Sequence, residues 1–217
     1  MKITISKENY LKTIAEAESE GEVVKASTLA RWLGVSAPAV TMAIKRLKRD
    51  GLIAAEEEGR ITLTSAGRDI ATRLLNRHHL IERMLAEIFG MEWYKVHDEA
   101  EQLEHAVSSD FERKLAERLG TEAPCPHGNL VEHDTPADRR RRGLLPLAEA
   151  PPRVGFTVVS VYERDRQLLE YLDGLGLRPG VTAAVDARDE DLTVDCGGHE
   201  VRVPASAAGR IWVKLEG

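Results

Sequence analysis

The chain has 217 residues, 30% of them charged and 42% hydrophobic, with a formal net charge of −6. That is the composition of an ordinary globular protein, long enough for one large or two to three small domains. It contains no apolar run of the roughly 18 residues a membrane span needs, and Met1–Lys7 lacks the apolar core of a signal peptide. Cys125 and Cys196 form no CxxC pair, so a disulfide framework is not expected and a cytoplasmic location is.

The charge is unevenly spread. Residues 1–77 carry 13 basic and 10 acidic side chains, residues 78–122 carry 5 and 11, and residues 123–217 carry 12 and 15. A phosphate-facing N-terminal part and a cation-facing middle fit that asymmetry.

Apolar residues at helical spacing predict a helix over Asn9–Glu20, ended by Gly21. Ser27 is placed to cap a second helix, Thr28–Leu33. After the turn Gly34-Val35-Ser36 a third helix runs to Asp50-Gly51, with Pro38 in its first turn, where a missing N–H costs nothing. Leu52–Ala55 and Arg60–Thr64 read as two strands around the polar tip Glu56–Gly59. Long helices are expected over Ser65–Ile88 and His97–Leu119. The segment from Gly120 to about Pro152 holds six prolines and the run Arg139–Arg142, and reads as a linker. Five short alternating strands then follow, Phe156–Val161, Val181–Val185, Leu192–Cys196, Val201–Val203 and Ile211–Leu215. One helix, Asp165–Gly174, lies between the first two, and the pattern suggests a small SH3-like barrel.

Two helices joined by a tight turn, the second followed by a hairpin wing, point to DNA binding. The second helix would enter the major groove by its N-terminal end. Ser36, Ala37, Pro38, Thr41, Met42 and Lys45 are its outward residues there, mostly short, suited to thymine methyls and backbone phosphates. Arg46 adds positive charge, and so does Arg60 in the wing.

The stretch His97-Asp98-Glu99-Ala100-Glu101-Gln102-Leu103-Glu104-His105 carries the second signal. At about 100° per residue, His97, Glu101, Glu104 and His105 fall within roughly 100° of one helix face. Imidazole nitrogen and carboxylate oxygen together suit a borderline or hard dication. His78 and Glu82, spaced i,i+4, offer two further ligands from the preceding helix.

With Tyr10-Leu11-Lys12-Thr13-Ile14, Ser36-Ala37-Pro38-Ala39-Val40-Thr41, Arg77-His78-His79-Leu80-Ile81-Glu82-Arg83 and Lys95–His105, the sequence resembles the diphtheria-toxin-repressor family of iron- and manganese-dependent bacterial regulators. The resemblance covers the whole chain, including Pro126-His127-Gly128-Asn129. It implies a mainly α fold with a small β domain. The expected parts are a winged helix-turn-helix at 1–73, a helical metal-binding and dimerisation domain at 74–122, a linker at 123–152 and an SH3-like (FeoA-like) domain at 153–217. It also implies a homodimer that binds palindromic double-stranded operators when loaded with one or two metal ions per subunit.

Carried over residue by residue, one site would use His78, Glu82 and His97, with Glu163 at a position where some relatives have glutamine and Ser160 where they have glutamate. The other would use Glu101, Glu104 and His105, with Asn9 in place of the family's methionine or aspartate. Lys12 stands where some manganese sensors carry a glutamate ligand. Glu101 replaces the cysteine of iron sensors, and exchanging a soft sulfur for a carboxylate favours Mn(II) over Fe(II). Cys125 and Cys196 fall outside these ligand positions and read as structural.

Two other classes are rival readings of the same residues. A metallohydrolase would need a positioned base or nucleophile at an open metal, and neither HExxH nor GxSxG occurs. A winged-helix regulator sensing a small organic ligand would leave the acidic cluster solvated. The linker prolines Pro146, Pro151 and Pro152 also offer a segment that an SH3-like domain could bind.

Overall fold

The computed structural model describes residues 4–132, 134–188 and 191–216, with the backbone alone for Glu57 and Arg188. The chain divides into two compact units, residues 1–78 and 79–217.

In the first unit α1 (Ile5–Ser19), α2 (Ala26–Leu33) and α3 (Ala37–Arg49) precede a two-stranded wing, β1 (Ile53–Ala55) and β2 (Ile61–Leu63). The three helices meet through Leu11, Ile14, Leu29, Val40 and Leu47, all essentially solvent-free. α2 starts one residue before the predicted cap. The Lys25 N–H donates to Thr28 Oγ1 at 3.2 Å, so Thr28 rather than Ser27 satisfies that end. Gly34 takes the left-handed conformation (φ 63°) that ends α2 and lets α3 set off at an angle. Pro38 lies in the first turn of α3, as the sequence predicts. The wing is antiparallel, Ile53 opposite Leu63 and Ala55 opposite Ile61. Ile61 also donates to the Val24 carbonyl at 2.8 Å, tying the wing to the segment before α2.

α4 (Ser65–Arg83) follows the wing and runs from the first unit into the second. Its start is fixed by Thr64, whose hydroxyl accepts from the Gly67 N–H and donates to the Gly51 carbonyl. A Cβ on Gly67 would stand 2.0 Å from the Leu52 carbonyl oxygen, so only glycine allows this approach of helix to wing.

The second unit begins with the end of α4, which widens into a π-type turn over Met84–Ile88. The predicted continuous helix His97–Leu119 is in fact two, α5 (Val96–Leu103) and α6 (Ser109–Leu119). Ser108 is extended (ψ 156°) and its hydroxyl accepts from the Phe111 N–H, making a fresh N-cap that ends the earlier periodicity. Ala100 and Leu115 still enter one core with Leu80, Ile81 and Val96, while Leu103 and Phe111 are exposed. Arg83 donates to the carbonyls of Leu119 and Gly120 at 2.8 Å each, closing the end of α6.

The segment expected as a linker is structured. α7 (Pro136–Arg141) opens with a Thr135/Asp138 capping box, and β3 (Leu144–Pro146) joins the sheet. The remaining elements are β4 (Val154–Val161), α8 (Arg166–Gly174), β5 (Thr182–Arg188), β6 (Asp191–Asp195), β7 (Glu200–Pro204), α9 (Ala205–Ala208) and β8 (Ile211–Leu215). The sheet has six strands rather than five, in the order β3-β8-β4-β5-β6-β7. Every pair is antiparallel, and the register shifts at Val158/Ser160 and Val185/Ala187 let the sheet curl. Its core is Phe156, Val158, Leu169, Leu172, Val185, Val194, Val203, Ile211 and Val213. This is the SH3-like domain the sequence predicts, extended by one edge strand.

Candidate metal centre

The second unit buries an unusual concentration of ionisable side chains around Glu82, which is 0% exposed. Glu82 comes from the last turn of α4. His97 comes from the first turn of α5, its Nδ1 3.2 Å from Glu82 Oε1. A tight loop before the barrel brings Cys125 and His127, the latter with Nδ1 3.5 Å from Glu82 Oε1. Glu163, just past β4, reaches in with Oε2 3.4 Å from Cys125 Sγ and 3.7 Å from His127 Nδ1. His79, Glu82, Cys125 and Glu163 each offer a ligand atom, all within 4.8 Å of one another.

The loop that carries Cys125 and His127 is stitched to the sheet. Cys125 N–H donates to the Asn129 carbonyl and Gly128 N–H to the Cys125 carbonyl, while Val161 N–H donates to the His127 carbonyl. Gly128 adopts φ +83°, and a Cβ there would stand 1.9 Å from the Val159 carbonyl oxygen. Asn129 Nδ2 donates to the Val161 carbonyl at 3.1 Å and to Glu163 Oε2 at 2.6 Å, aiming that carboxylate. Behind Asn129, the buried Arg139 pairs with Asp134 at 3.0 Å.

The donor chemistry suits a bound dication. His127 Nε2 lies 2.9 Å from the Trp93 carbonyl, which can only accept. The ring proton therefore sits on Nε2, and Nδ1 points its lone pair at Glu82, Glu163 and Cys125 in the neutral form. Histidine ligands are commonly oriented in this way. Burial opposes a charge on His127, yet the Glu82 and Glu163 carboxylates outweigh it and raise its pKa. Burial and Glu82 push the Glu163 carboxyl up, but His97, His79 and His127 prevail and hold it at about 2. Burial, then Glu82 and Glu163, push the Cys125 thiol well above its usual range. Two inward carboxylates beside a thiol that needs help to ionise form an environment that a cation would stabilise.

The residues singled out in the sequence fare differently. His78 stands one turn before Glu82 on α4, is fully buried and accepts a 2.9 Å hydrogen bond at Nδ1 from Lys12 Nζ. Glu101 lies on α5, 3.8 Å from His97 Nε2 and 3.4 Å from Arg164 Nη1. Glu104 and His105 lie beyond the end of α5, Glu104 buried and His105 Nε2 3.5 Å from its carboxylate. Among the described residues Glu101, Glu104 and His105 do not share one tight ligand group. Asn9 is half-buried on α1, and Ser160 is buried in β4. Cys125 and His127, passed over as ligands in the sequence, are in the cluster. Their alternate spacing, Cys125-Pro126-His127, before a glycine turn was the available signal.

In the first unit the residues chosen as DNA-facing, Ser36, Ala37, Pro38, Thr41, Met42, Lys45, Arg46 and Arg60, are all exposed. Lys48 and Arg49 are exposed as well.

A winged helix-turn-helix with a basic, exposed second helix, together with a buried His/Glu/Cys cluster, defines a metal-dependent DNA-binding regulator. Residues 2–60 match the iron dependent repressor N-terminal DNA binding domain, residues 64–131 the iron dependent repressor metal binding and dimerisation domain, and residues 145–215 the FeoA domain. The chain is 38% identical over 209 residues to the diphtheria toxin repressor of Corynebacterium diphtheriae, covering 90% of this chain and 91% of that protein. It is 32% identical over 227 residues to the iron-dependent repressor IdeR of Mycobacterium tuberculosis, covering 95% and 96%. Among solved structures, a manganese-dependent transcriptional repressor in complex with manganese superposes with a TM-score of 0.84 at 31% identity, over 97% of this chain and 100% of that one. The apo form of the manganese-activated repressor ScaR gives 0.78 at 28% identity, over 95% and 99%. The chain belongs to the diphtheria-toxin-repressor family, and is a metal-dependent, DNA-binding transcriptional repressor rather than an enzyme. Family members bind operators as dimers. Among the described residues no helix is long and apolar enough to cross a membrane.

Proposed function

We propose that this repressor answers to Mn(II) in the cytoplasm and controls genes of metal homeostasis through palindromic operators. The observation that carries the reading is the buried cluster around Glu82, in which carboxylate oxygen and imidazole nitrogen outnumber sulfur. Such a donor set suits Mn(II) and Fe(II) better than strongly thiophilic ions. The likeness to a repressor described in complex with manganese supports the same choice. Fe(II) is the alternative effector.

One metal would be held by His78, Glu82 and His97, with Glu163 adding a carboxylate; Cys125 and His127 join Glu82 and Glu163 in the candidate ligand set. A second metal is assigned to Glu101, Glu104, His105 and Asn9. A bound dication supplies concentrated positive charge to these inward carboxylates. The protein side chains orient the donors, and Asn129 aims Glu163. Asn9 belongs to α1, the first helix of the DNA-binding unit, so a ligand there would link metal occupancy to operator affinity.

Ser36, Ala37, Pro38, Thr41, Met42, Lys45 and Arg46 would face the major groove and Arg60 the adjacent backbone, which their exposure supports. Ile88, Phe89, Leu103 and Phe111 are exposed apolar side chains within the dimerisation segment, and suit burial against a second copy. The boundaries proposed above for the DNA-binding and helical domains, 1–73 and 74–122, remain the functional division. Pairing of Leu144–Pro146 with β8 supports a standing contact between the proline-containing segment and the SH3-like domain.

A cavity lined by Thr4, Ser6, Lys7, Tyr10, Ala43, Arg46 and Leu47 has a volume of about 130 Å³, below the roughly 300–1,000 Å³ of small-molecule sites.

The deciding experiment is fluorescence anisotropy on an inverted-repeat operator selected from random DNA, titrating Mn(II) and anaerobic Fe(II) separately at fixed salt. Tight binding that requires Mn(II) at lower free concentration than Fe(II) is expected. Equal binding in the presence of a chelator would overturn the sensor reading.

A further inference from the structure

We infer that Lys12 sets the threshold at which His78 takes a metal, because the Lys12 ammonium and a metal ion cannot use the His78 ring together. The inference rests on the proposed role of His78 in metal sensing, and concerns a residue that is not itself a ligand.

Lys12 lies on α1 and is only 3% exposed. Its Nζ is 2.9 Å from His78 Nδ1 and 3.7 Å from Glu16 Oε1, one turn further along the same helix. Glu16 and His78 are buried too. A lysine this deep is rare and persists only where its charge is met. Lys12, Glu16 and His78 thus form a cation site in which the cation is tethered to the chain.

The exclusion follows from counting lone pairs. An ammonium has three donors and no acceptor, so His78 Nδ1 must accept. A neutral imidazole has one acceptor nitrogen, and its proton is then on Nε2. A metal needs that same kind of lone pair. Bound through Nδ1, it must push Lys12 away. Bound through Nε2, it requires the ring proton to move to Nδ1, where an N–H would face the N–H groups of Lys12. Metal-binding histidines instead turn their second N–H to a carboxylate, a carbonyl or water. By either nitrogen, metal occupancy and the Lys12–His78 hydrogen bond are alternatives.

Lys12 keeps Glu16 as a counter-ion on its own helix when it leaves His78. Because α1 packs on α2 and α3 within the DNA-binding unit, release of Lys12 is felt by the element that carries the reading residues. By linkage, a DNA-binding state that disfavours the Lys12–His78 bond would raise metal affinity by the same factor.

The test uses the full-length protein. Mn(II) binding is followed by electron paramagnetic resonance, and the site is identified by its loss in His78→Ala. Lys12→Met is expected to bind this Mn(II) about 10–100-fold more tightly, the range over which partners of ligating histidines act. Lys12→Arg, still a donor-only cation, should stay near the unmutated affinity. Independently, 15N NMR of the unmutated protein should show His78 Nδ1 accepting a hydrogen bond without metal and losing it on loading with diamagnetic Zn(II). Unchanged affinity in Lys12→Met, or a Lys12–His78 hydrogen bond that survives Zn(II) loading, would overturn the inference while leaving the sensor intact. If the unmutated protein binds neither ion, the sensor reading and this inference fall together. Should Lys12→Met not fold, the NMR comparison decides alone.

Discussion

At the scale of single residues, the candidate centre depends on side chains whose burial would be costly without partners. Cys125 is the clearest case, a fully enclosed thiol beside two carboxylates that push its pKa upward. Binding a metal there must release its proton, so uptake should acidify a weakly buffered solution and weaken as pH falls. Cys125→Ser should reduce Zn(II) and Cd(II) affinity by at least about tenfold and Mn(II) affinity by less, since sulfur matters most to soft ions. Competition with a chromophoric chelator measures both, and an equal loss for all three ions would argue against a sulfur ligand. Gly128 is a second sensitive position. Its positive φ and its approach to the Val159 carbonyl leave no room for a methyl group, so Gly128→Ala should cost about 3 kcal/mol or more, read by urea denaturation. Metal affinity should fall with it, because the same loop carries Cys125 and His127.

At the scale of elements, caps and charges decide what periodicity leaves open. Ala100, Leu103, Val107, Phe111 and Leu115 keep helical spacing across a break, because periodicity records which faces are apolar and not whether the backbone is continuous. The Ser108 cap makes the break, and Ser108→Ala should destabilise α6 by about 1 kcal/mol. In α7, the Thr135 hydrogen bonds, then Arg141, lower the Asp138 pKa. A carboxyl whose folded pKa lies below its unfolded one stabilises fully above the unfolded value and loses that contribution as pH falls through the folded value. Asp138→Asn should therefore reduce stability at neutral pH and remove this part of the acid dependence, a difference visible in thermal melts at pH 7 and pH 3. For the wing, Arg60→Ala should weaken binding to all DNA sequences similarly and reduce the slope of log affinity against log salt by about 1. A loss confined to particular bases would instead make Arg60 a sequence reader.

At the scale of the whole molecule, the stretch expected as a linker illustrates how composition misleads. Prolines and an arginine run predict a flexible connector, and several of those residues do stand in turns. Yet Leu144 and Leu147 are buried, Arg139 and Arg140 lie over the Trp212 ring, and β3 pairs with β8. Residues 79–217 should consequently unfold together. Proteins keeping only Trp93 or only Trp212 are expected to give coincident urea transitions by fluorescence. Two separate midpoints would mean that the helices and the barrel fold independently.

The sequence alone determined the winged helix-turn-helix and the SH3-like strands, and it picked out the exposed residues of α3 and, as candidate metal ligands, His78, Glu82 and His97. Those features are local: helical and strand periodicity, turn residues, and ligands one turn apart on a helix are all written in short windows. Tertiary structure decided what depends on distant segments. It brought Cys125, His127 and Glu163 to Glu82, set Lys12 against His78 across 66 positions of chain, split one predicted helix into two, and folded the linker onto the sheet. No short window contains those contacts, because they exist only once the loop before β4 is pinned to the barrel and α1 is packed beside α4.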